Sequence, residues 1–258
     1  GNLGDVSPRL AEALKGADVV FAEDTRRARI LLAEVGANPP VRSYFVGNES
    51  ERAAELSERR EAGSTVALIT DAGTPGVADP GVSAVSVARE VGAVVTVIPG
   101  PSAVAAALAA SCLPGDAVWF EGFPPRKERS RFFARLAGEP RTIVLFTSPH
   151  RVRSDLADLA AYLGADRPVC VTRELTKKFE EIWWGTLGEA ARVWGERDPK
   201  GEFTLVIGGA PRVTGDLDEA VGRAGESMGA GMSRSEAARS AADPGPGEAR
   251  VAIRRIGI

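Results

Sequence analysis

Short apolar runs alternate along the chain with stretches whose apolar positions recur at helical spacing. Val66–Ile69 (VALI) and Thr142–Thr147 (TIVLFT) are unbroken apolar runs of strand length, the pattern of strands buried on both faces. Asp18 to Ala22, Val41 to Val46, Val94 to Ile98, Ala117 to Glu121, Pro168 to Arg173 and Phe203 to Ile207 complete the predicted strands. Between them the pattern predicts helices. One opens at Ser7-Pro8, a capping hydroxyl before a first-turn proline, and runs to about Lys15. Others end near Val35, cover Asn48 to Ala62 and Val82 to Val91, end near Cys112 and near Leu163, and begin near Gly188. Strands that alternate with helices throughout argue for an α/β fold with a largely parallel sheet.

Leu113-Pro114-Gly115-Asp116 has the composition of a linker. It divides the chain into an amino-terminal α/β domain, 1–113, and a carboxy-terminal α/β domain, 114–210, with a tail at 211–258. In the tail, Ser233-Arg234-Ser235-Glu236 has capping-box form. Pro244-Gly245-Pro246-Gly247 and the last ten residues show no periodicity, so the tail is expected to be partly helical or disordered. The text opens mid-motif at GNLGD; an opening strand is expected ahead of it, and Gly1 to Asp5 are expected to fray.

Composition narrows the function classes. The 258 residues are comfortable for two domains, and 44% apolar content is ample for their cores. A formal charge of -3 does not mark a general polyanion binder, so any nucleic-acid surface must be a local patch. Cys112 and Cys170 make no disulfide framework and fit a reducing cytosol. No apolar run reaches membrane-span length. With His150 as the single histidine and no close ligand spacing, no metal site is expected.

Two loops carry the candidate chemistry. The strand at Val66–Ile69 runs into Asp71, Gly73, Pro75, Gly76, Asp79, Pro80 and Gly81. Glycines there let a ligand lie against bare peptide groups, and the carboxyl end of a strand is where open α/β sheets bind ligands. Between Gly63 and Pro125 the only basic residue is Arg89, and no phosphate-binding glycine motif is present. Asp71 and Asp79 suit a ligand that is cationic or rich in hydroxyls and amines; the plain alternative is a turn whose carboxylates serve as caps. Pro99-Gly100-Pro101-Ser102-Ala103 is a second such turn, where Ser102 either caps a helix or touches ligand as well.

Charge collects elsewhere. Glu23-Asp24-Thr25-Arg26-Arg27 stands at a strand end, either as a site or as a solvated first turn capped by Asp24 or Thr25. Arg126, Lys127, Arg129, Arg131 and Arg135 fall beside Phe123, Phe132 and Phe133. Such a run grips phosphates while aromatics stack, or it is a solvated helix face with its phenylalanines in the core.

Laid out in order, GNLGD (1–5), AEDTRR (22–27), ITDAGTPGVADPG (69–81), IPGPSA (98–103), EGFPPRK (121–127), SPHR (148–151), RELTKKFEE (173–181) and GEFTLVI (201–207) resemble the SAM-dependent tetrapyrrole methylase superfamily. Within it the likeness is to the ribosomal RNA small subunit methyltransferase I family, which methylates a cytidine 2'-hydroxyl of 16S rRNA. The resemblance implies two α/β domains with S-adenosylmethionine in the cleft between them, usually in a cytoplasmic homodimer acting on 16S rRNA or the small ribosomal subunit. It implies cofactor contacts at Asp71, Gly73, Pro75, Gly76, Val77, Asp79, Ser102, Ala103, Thr147, Ser148 and Gly185. Transfer to a ribose hydroxyl needs a proton acceptor. Asp24 is the first candidate, followed by Glu23 and Lys177, the lysine only if its pKa is lowered. Arg26, Arg27, Arg126, Lys127 and Arg129 are the expected RNA contacts, with Lys177 beside them. The rival readings are a tetrapyrrole C-methyltransferase and a non-catalytic RNA-binding module.

Overall fold

The computed structural model describes residues 1–211 and 217–241. The chain forms two compact units, Gly1–Ala210 and Pro211–Ile258.

The first unit holds two sheets. In the smaller, β1 (Val19–Ala22) lies between β2 (Val41–Ser43) and β3 (Val66–Ile69), all parallel. Every residue of β1 is buried, because apolar side chains cover both faces. On one face Val20 and Ala22 meet α1 (Pro8–Lys15) and α2 (Thr25–Val35) through Leu14, Ala28 and Leu32. On the other, Val19 and Phe21 meet Leu56 of α3 (Glu49–Glu61) and Ala84 of α4 (Val82–Glu90). Ser7 caps α1 with Pro8 in its first turn, as the sequence predicts.

Two strand expectations for this half are corrected. β2 stops at Ser43 rather than Val46, because Asn48 accepts from the Phe45 amide at 2.8 Å and donates to the Ser43 carbonyl at 3.1 Å, turning the chain. Val94 to Ile98 forms no strand, and Val94 is 94% exposed. An apolar run becomes a strand only beside a ladder partner, and β3, the nearest parallel strand in sequence, has no neighbour on its outer side among the described residues. The expected fraying at the start is also corrected. Leu3–Asp5 form a 3-10 turn, closed by Asn2 Oδ1 accepting from the Gly4 amide at 2.9 Å, and Asn2 Nδ2 donates to the Thr176 carbonyl at 2.9 Å.

The larger sheet contains β4 (Val118–Phe120), β5 (Thr142–Thr147), β6 (Pro168–Arg173), β7 (Glu181–Thr186) and β8 (Phe203–Ile207), in the order β4-β5-β8-β6-β7. Only β4 and β5 are parallel; the other three pairings are antiparallel, which corrects the expectation of a largely parallel sheet. One face is covered by α6 (Arg129–Leu136), α7 (Val152–Leu163) and α8 (Leu187–Gly195), around Phe133, Leu145, Leu159, Trp194 and Leu205. The other receives α5 (Ala103–Ala110), whose Ala107 packs on Val144, Cys170 and Val206. Residues 103–110 thus reach out of the first half to cover the second sheet. Arg167 is buried with no carboxylate partner among the described residues and donates to the carbonyls of Gly208 (3.1 Å), Leu163 (3.3 Å) and Ala137.

In the second unit α9 (Leu217–Gly229) packs on α10 (Arg234–Ala241) through Ala224 and Ala237. The capping box is present: the Glu236 amide donates to Ser233 Oγ at 3.4 Å, and the Ser233 amide to Glu236 Oε2 at 3.2 Å. The expectation for Pro244 onward lies outside the described residues.

Candidate active site

The parallel strands β1 and β3 deliver their carboxyl ends side by side, Ala22 opposite Ile69. After β1, Asp24 is the N-cap of α2 and accepts from the Arg26 amide at 2.8 Å. Its carboxylate also takes a forked grip from the Arg26 guanidinium, at 3.0 and 3.2 Å. The Arg26 side chain and amide hold Asp24 down to about 2. A carboxylate so well satisfied is a poor proton acceptor, so the capping reading describes what Asp24 does here. Arg27 pairs with Asp71 at 3.5 Å, and Asp71 accepts from the Asp24 amide at 3.2 Å.

The loop after β3 is a tight coil. The Gly76 amide donates to the Pro80 carbonyl at 3.1 Å, and Val77 to Thr74 at 3.2 Å. Gly73, Gly76 and Gly81 all have positive φ, as does Ala78 at 58°. A side chain at Gly81 would meet the Gly76 amide at 2.9 Å. A Cβ placed on Gly122, just after β4, would lie 3.7 Å from Ala78 Cβ, so this loop rests against the second sheet's edge. Burial pushes Asp79 up to about 6, helped by the negative charge of Glu23, Asp71 and Glu202. Four carboxylates from three of the sequence blocks therefore fall around a glycine-lined turn. Glu202, which precedes β8, is the member that sequence reasoning missed; the only signal was its place in the GEF block.

Opposite lie the strand ends of the second sheet. Thr147, Arg173 and Glu181 share one edge with Phe203. Beyond β6, Glu174 and Thr176 adopt left-handed backbone at φ 49° and 65°, a cost usually met where function requires it. Lys177 donates to Glu174 at 3.0 Å and Glu202 at 2.8 Å. Burial works against its charge, but the two carboxylates outweigh burial and its pKa is raised, which makes it a cation rather than a base. Ser102 caps α5 with a long 3.4 Å bond from the Ala105 amide, and Ala103 is the first residue of that helix. Thr147 is buried and its hydroxyl donates to Asp155, while Ser148 begins the next turn. Gly185 pairs with Val169, toward the far end of β7 from Glu181, and is not brought to this edge.

The basic residues separate into two kinds. Arg126 and Lys127 are exposed and carry no ion pair among the described residues. Arg129 instead turns inward, to Asp155 at 2.8 Å and Asp158 at 3.0 Å, and is a strut rather than a free cation. Phe132 and Phe133 belong to the core, while Phe123 is exposed and lies against Phe146 with ring centroids 5.5 Å apart. Among the described residues no cluster suited to a metal ion is found, and no helix is long and apolar enough to cross a membrane.

The profile of the Tetrapyrrole (Corrin/Porphyrin) Methylases family matches residues 1–191. A ribosomal RNA small subunit methyltransferase I from Synechocystis is 42% identical over 248 residues, covering 94% of this chain and 89% of the relative. One from Xylella fastidiosa is 42% identical over 214 residues, covering 81% and 78%. A cobalt precorrin-4 methyltransferase of known structure shares the fold at TM-score 0.60 and 22% identity, covering 81% of this chain and 90% of its own.

Proposed function

Because the chain belongs to the ribosomal RNA small subunit methyltransferase I family of the tetrapyrrole methylases, we propose that its two sheets form a cleft for S-adenosylmethionine-dependent methylation of a cytidine 2'-hydroxyl in 16S rRNA. S-adenosylmethionine supplies, when bound, an electrophilic methyl on a positively charged sulfur. The residues present fit that charge. Asp71, Asp79, Glu23 and Glu202 lie around a turn of positive-φ glycines, Asp71 paired with Arg27 and Glu202 with Lys177, and among the described residues no unpaired lysine or arginine stands with them. That convergence is the observation that carries the reading.

Gly73, Gly76 and Val77 would hold the cofactor by backbone, with Ser148 across the cleft. For the ribose proton, Asp24 and Lys177 are both committed to ion pairs. Asp79, beside Glu23 and raised to about 6, is left as the acceptor tuned closest to neutral pH. Arg126 and Lys127, on the far wall, meet RNA phosphates, and Arg26 and Arg27 do so from the near wall. The exposed Val82 and Val85 of α4 are the apolar surface a homodimer would bury, and the enzyme acts in the cytoplasm, where ribosomal subunits are.

The test is methyl transfer from labelled S-adenosylmethionine to small ribosomal subunits that lack this modification, followed by mass spectrometry of the ribonucleosides. A 2'-O-methylcytidine that appears only with enzyme supports the reading. Label on base carbon or nitrogen, or on no RNA, overturns it. Calorimetry with the cofactor separates the rival of a non-catalytic module, which binds none.

A further inference from the structure

The turn Ser148-Pro149-His150-Arg151 has no role assigned above beyond its first residue, yet it is closed by the Arg151 and Val152 amides, which donate to the Ser148 carbonyl at 3.0 and 2.9 Å. It faces the Gly122–Lys127 loop across a hollow of about 390 Å³ lined by Arg126, Arg129, Ser148, His150, Arg151 and Ser154. The hollow is open to solvent rather than enclosed, and no carboxylate is among its lining residues.

The two walls are tied together by one side chain. Arg151 donates to the Pro124 carbonyl at 2.7 Å and the Pro125 carbonyl at 3.0 Å, so its guanidinium bridges the loops without losing its charge to them. Beneath the floor lies Asp155, fully buried, 2.8 Å from Arg129 and 3.5 Å from Arg151. Its other oxygen accepts from Thr147 at the end of β5. Asp155 and Asp158 together balance Arg129 and Arg151, so the net positive charge left for the hollow is that of Arg126. α7 also starts here, 12 residues long and without a side-chain cap, so its positive end adds to the field. Arg126 and His150 stand exposed at the rim, and Ser154 Oγ is engaged with the Arg151 carbonyl at 2.9 Å, bracing the turn.

We propose that this hollow is a phosphodiester subsite for the RNA strand, with Arg126 as its uncompensated cation, the Arg151 guanidinium, His150 and Ser148 as hydrogen-bonding partners, and Asp155 as the positioning residue beneath. This rests on the RNA methyltransferase reading and deepens it. One phosphate gripped here sits beside the carboxyl end of β5, next to the cleft, and so fixes the register of the strand that presents the ribose. A solvated basic face has no need of a guanidinium strapped to two carbonyls and a buried carboxylate under it.

The full chain is compared with Arg126→Gln, Arg151→Gln, Arg151→Lys and the Arg126→Gln/Arg151→Gln double variant. The measurements are KM and kcat on unmodified small subunits, the salt dependence of binding to a labelled 16S rRNA fragment, and S-adenosylmethionine affinity by calorimetry. The double variant is expected to raise KM about tenfold, hold kcat within about twofold, and flatten the log–log salt slope by about 0.7, the increment for one single-strand phosphate. Cofactor affinity stays near wild type, and Arg151→Lys falls between. Inorganic phosphate at constant ionic strength competes with subunits for wild type and not for the double variant; equal inhibition of both places the anion elsewhere and overturns the assignment. So does an unchanged KM and slope with cofactor binding intact. Should the Arg151 variants fail to fold, Arg126→Gln alone, at an exposed unpaired position, decides by the same slope and phosphate competition. Wild type that neither binds the fragment nor methylates subunits sinks the functional reading itself, whereas active wild type with indifferent variants sinks only the subsite.

Discussion

The backbone amide of Asp24 donates to Asp71 Oδ1 at 3.2 Å, joining the loop after β1 to the loop after β3. Asp71 also holds Arg27 at 3.5 Å, so one half-exposed carboxylate sets the spacing of both loops. Asp71→Ala is expected to cost about 1 kcal/mol of stability, at the low end for a charged acceptor because solvent reaches it. It should also weaken S-adenosylmethionine binding. Asp71→Asn keeps an acceptor and should lose less of the stability than of the binding. Urea midpoints and calorimetry on the two variants check the split.

Asp79 gives a pH signature of defined sign. Its folded value of about 6 lies above the 3.8 of an unperturbed aspartate, so the folded protein holds that proton more tightly. Its contribution to stability is full below about pH 4 and is lost as pH rises through about 6. Asp79→Asn should therefore be more stable than wild type by about 1 kcal/mol near neutral pH, and the gain should vanish by about pH 4. Asp24, lowered to about 2 by Arg26, runs the other way: its contribution is present above 3.8 and lost as pH falls toward 2. In activity, kcat/KM should rise with pH and level off above about 6 in wild type, and Asp79→Asn should lose turnover at every pH. Asp24→Asn with turnover as low as Asp79→Asn would return the proton to Asp24.

Gly81 has φ 145°, and an added Cβ would meet the Gly76 amide at 2.9 Å and Pro75 Cβ at 3.2 Å. Gly81→Ala combines backbone strain with a clash against the turn's own peptide, and about 2 kcal/mol of lost stability is expected. Because the loop must open to admit the methyl group, cofactor affinity should drop with it. Gly63→Ala, also at positive φ but with open space around it, is the control: strain without a clash, and cofactor binding untouched.

Asp155 is fully buried among Arg129, Arg151 and Thr147. Removing it leaves two guanidiniums without their common partner, and Asp155→Ala is expected to cost about 3–5 kcal/mol. Thermal melting measures the loss. Asp158→Ala, at the half-exposed end of the same network, should cost under about 1 kcal/mol.

Much of this architecture was legible in the chain, for identifiable reasons. Val66–Ile69, Thr142–Thr147, Pro168–Arg173 and Phe203–Ile207 have the bounds the sequence predicts, because strands covered on both faces must be apolar throughout. Ser7 and Ser233 announced their helices through local chemistry that acts within one turn. Strand direction was not legible: periodicity is the same in parallel and antiparallel ladders, so the second sheet's reversal left no trace. β7 was missed because Trp183 and Trp184 interrupt its alternation, and Trp184 is half-exposed on an edge strand. At the site, motif order led to the central loop and to AEDTRR, but whether Asp24 caps or reacts is decided by where Arg26 points. Asp155 is an ordinary acid in a helical stretch by sequence. Its partner Arg129 lies outside that helix, and only folding puts the two in contact.

The valines at 94–97 carry a practical consequence. Among the described residues nothing pairs with the outer edge of β3, and beyond α4 runs an apolar segment whose Val94 and Val97 are exposed. Such an edge is a template for intermolecular β-pairing. Concentrated stocks of this polypeptide should gain thioflavin-positive, self-seeding aggregates on storage, and a lysine at Val94 should delay them.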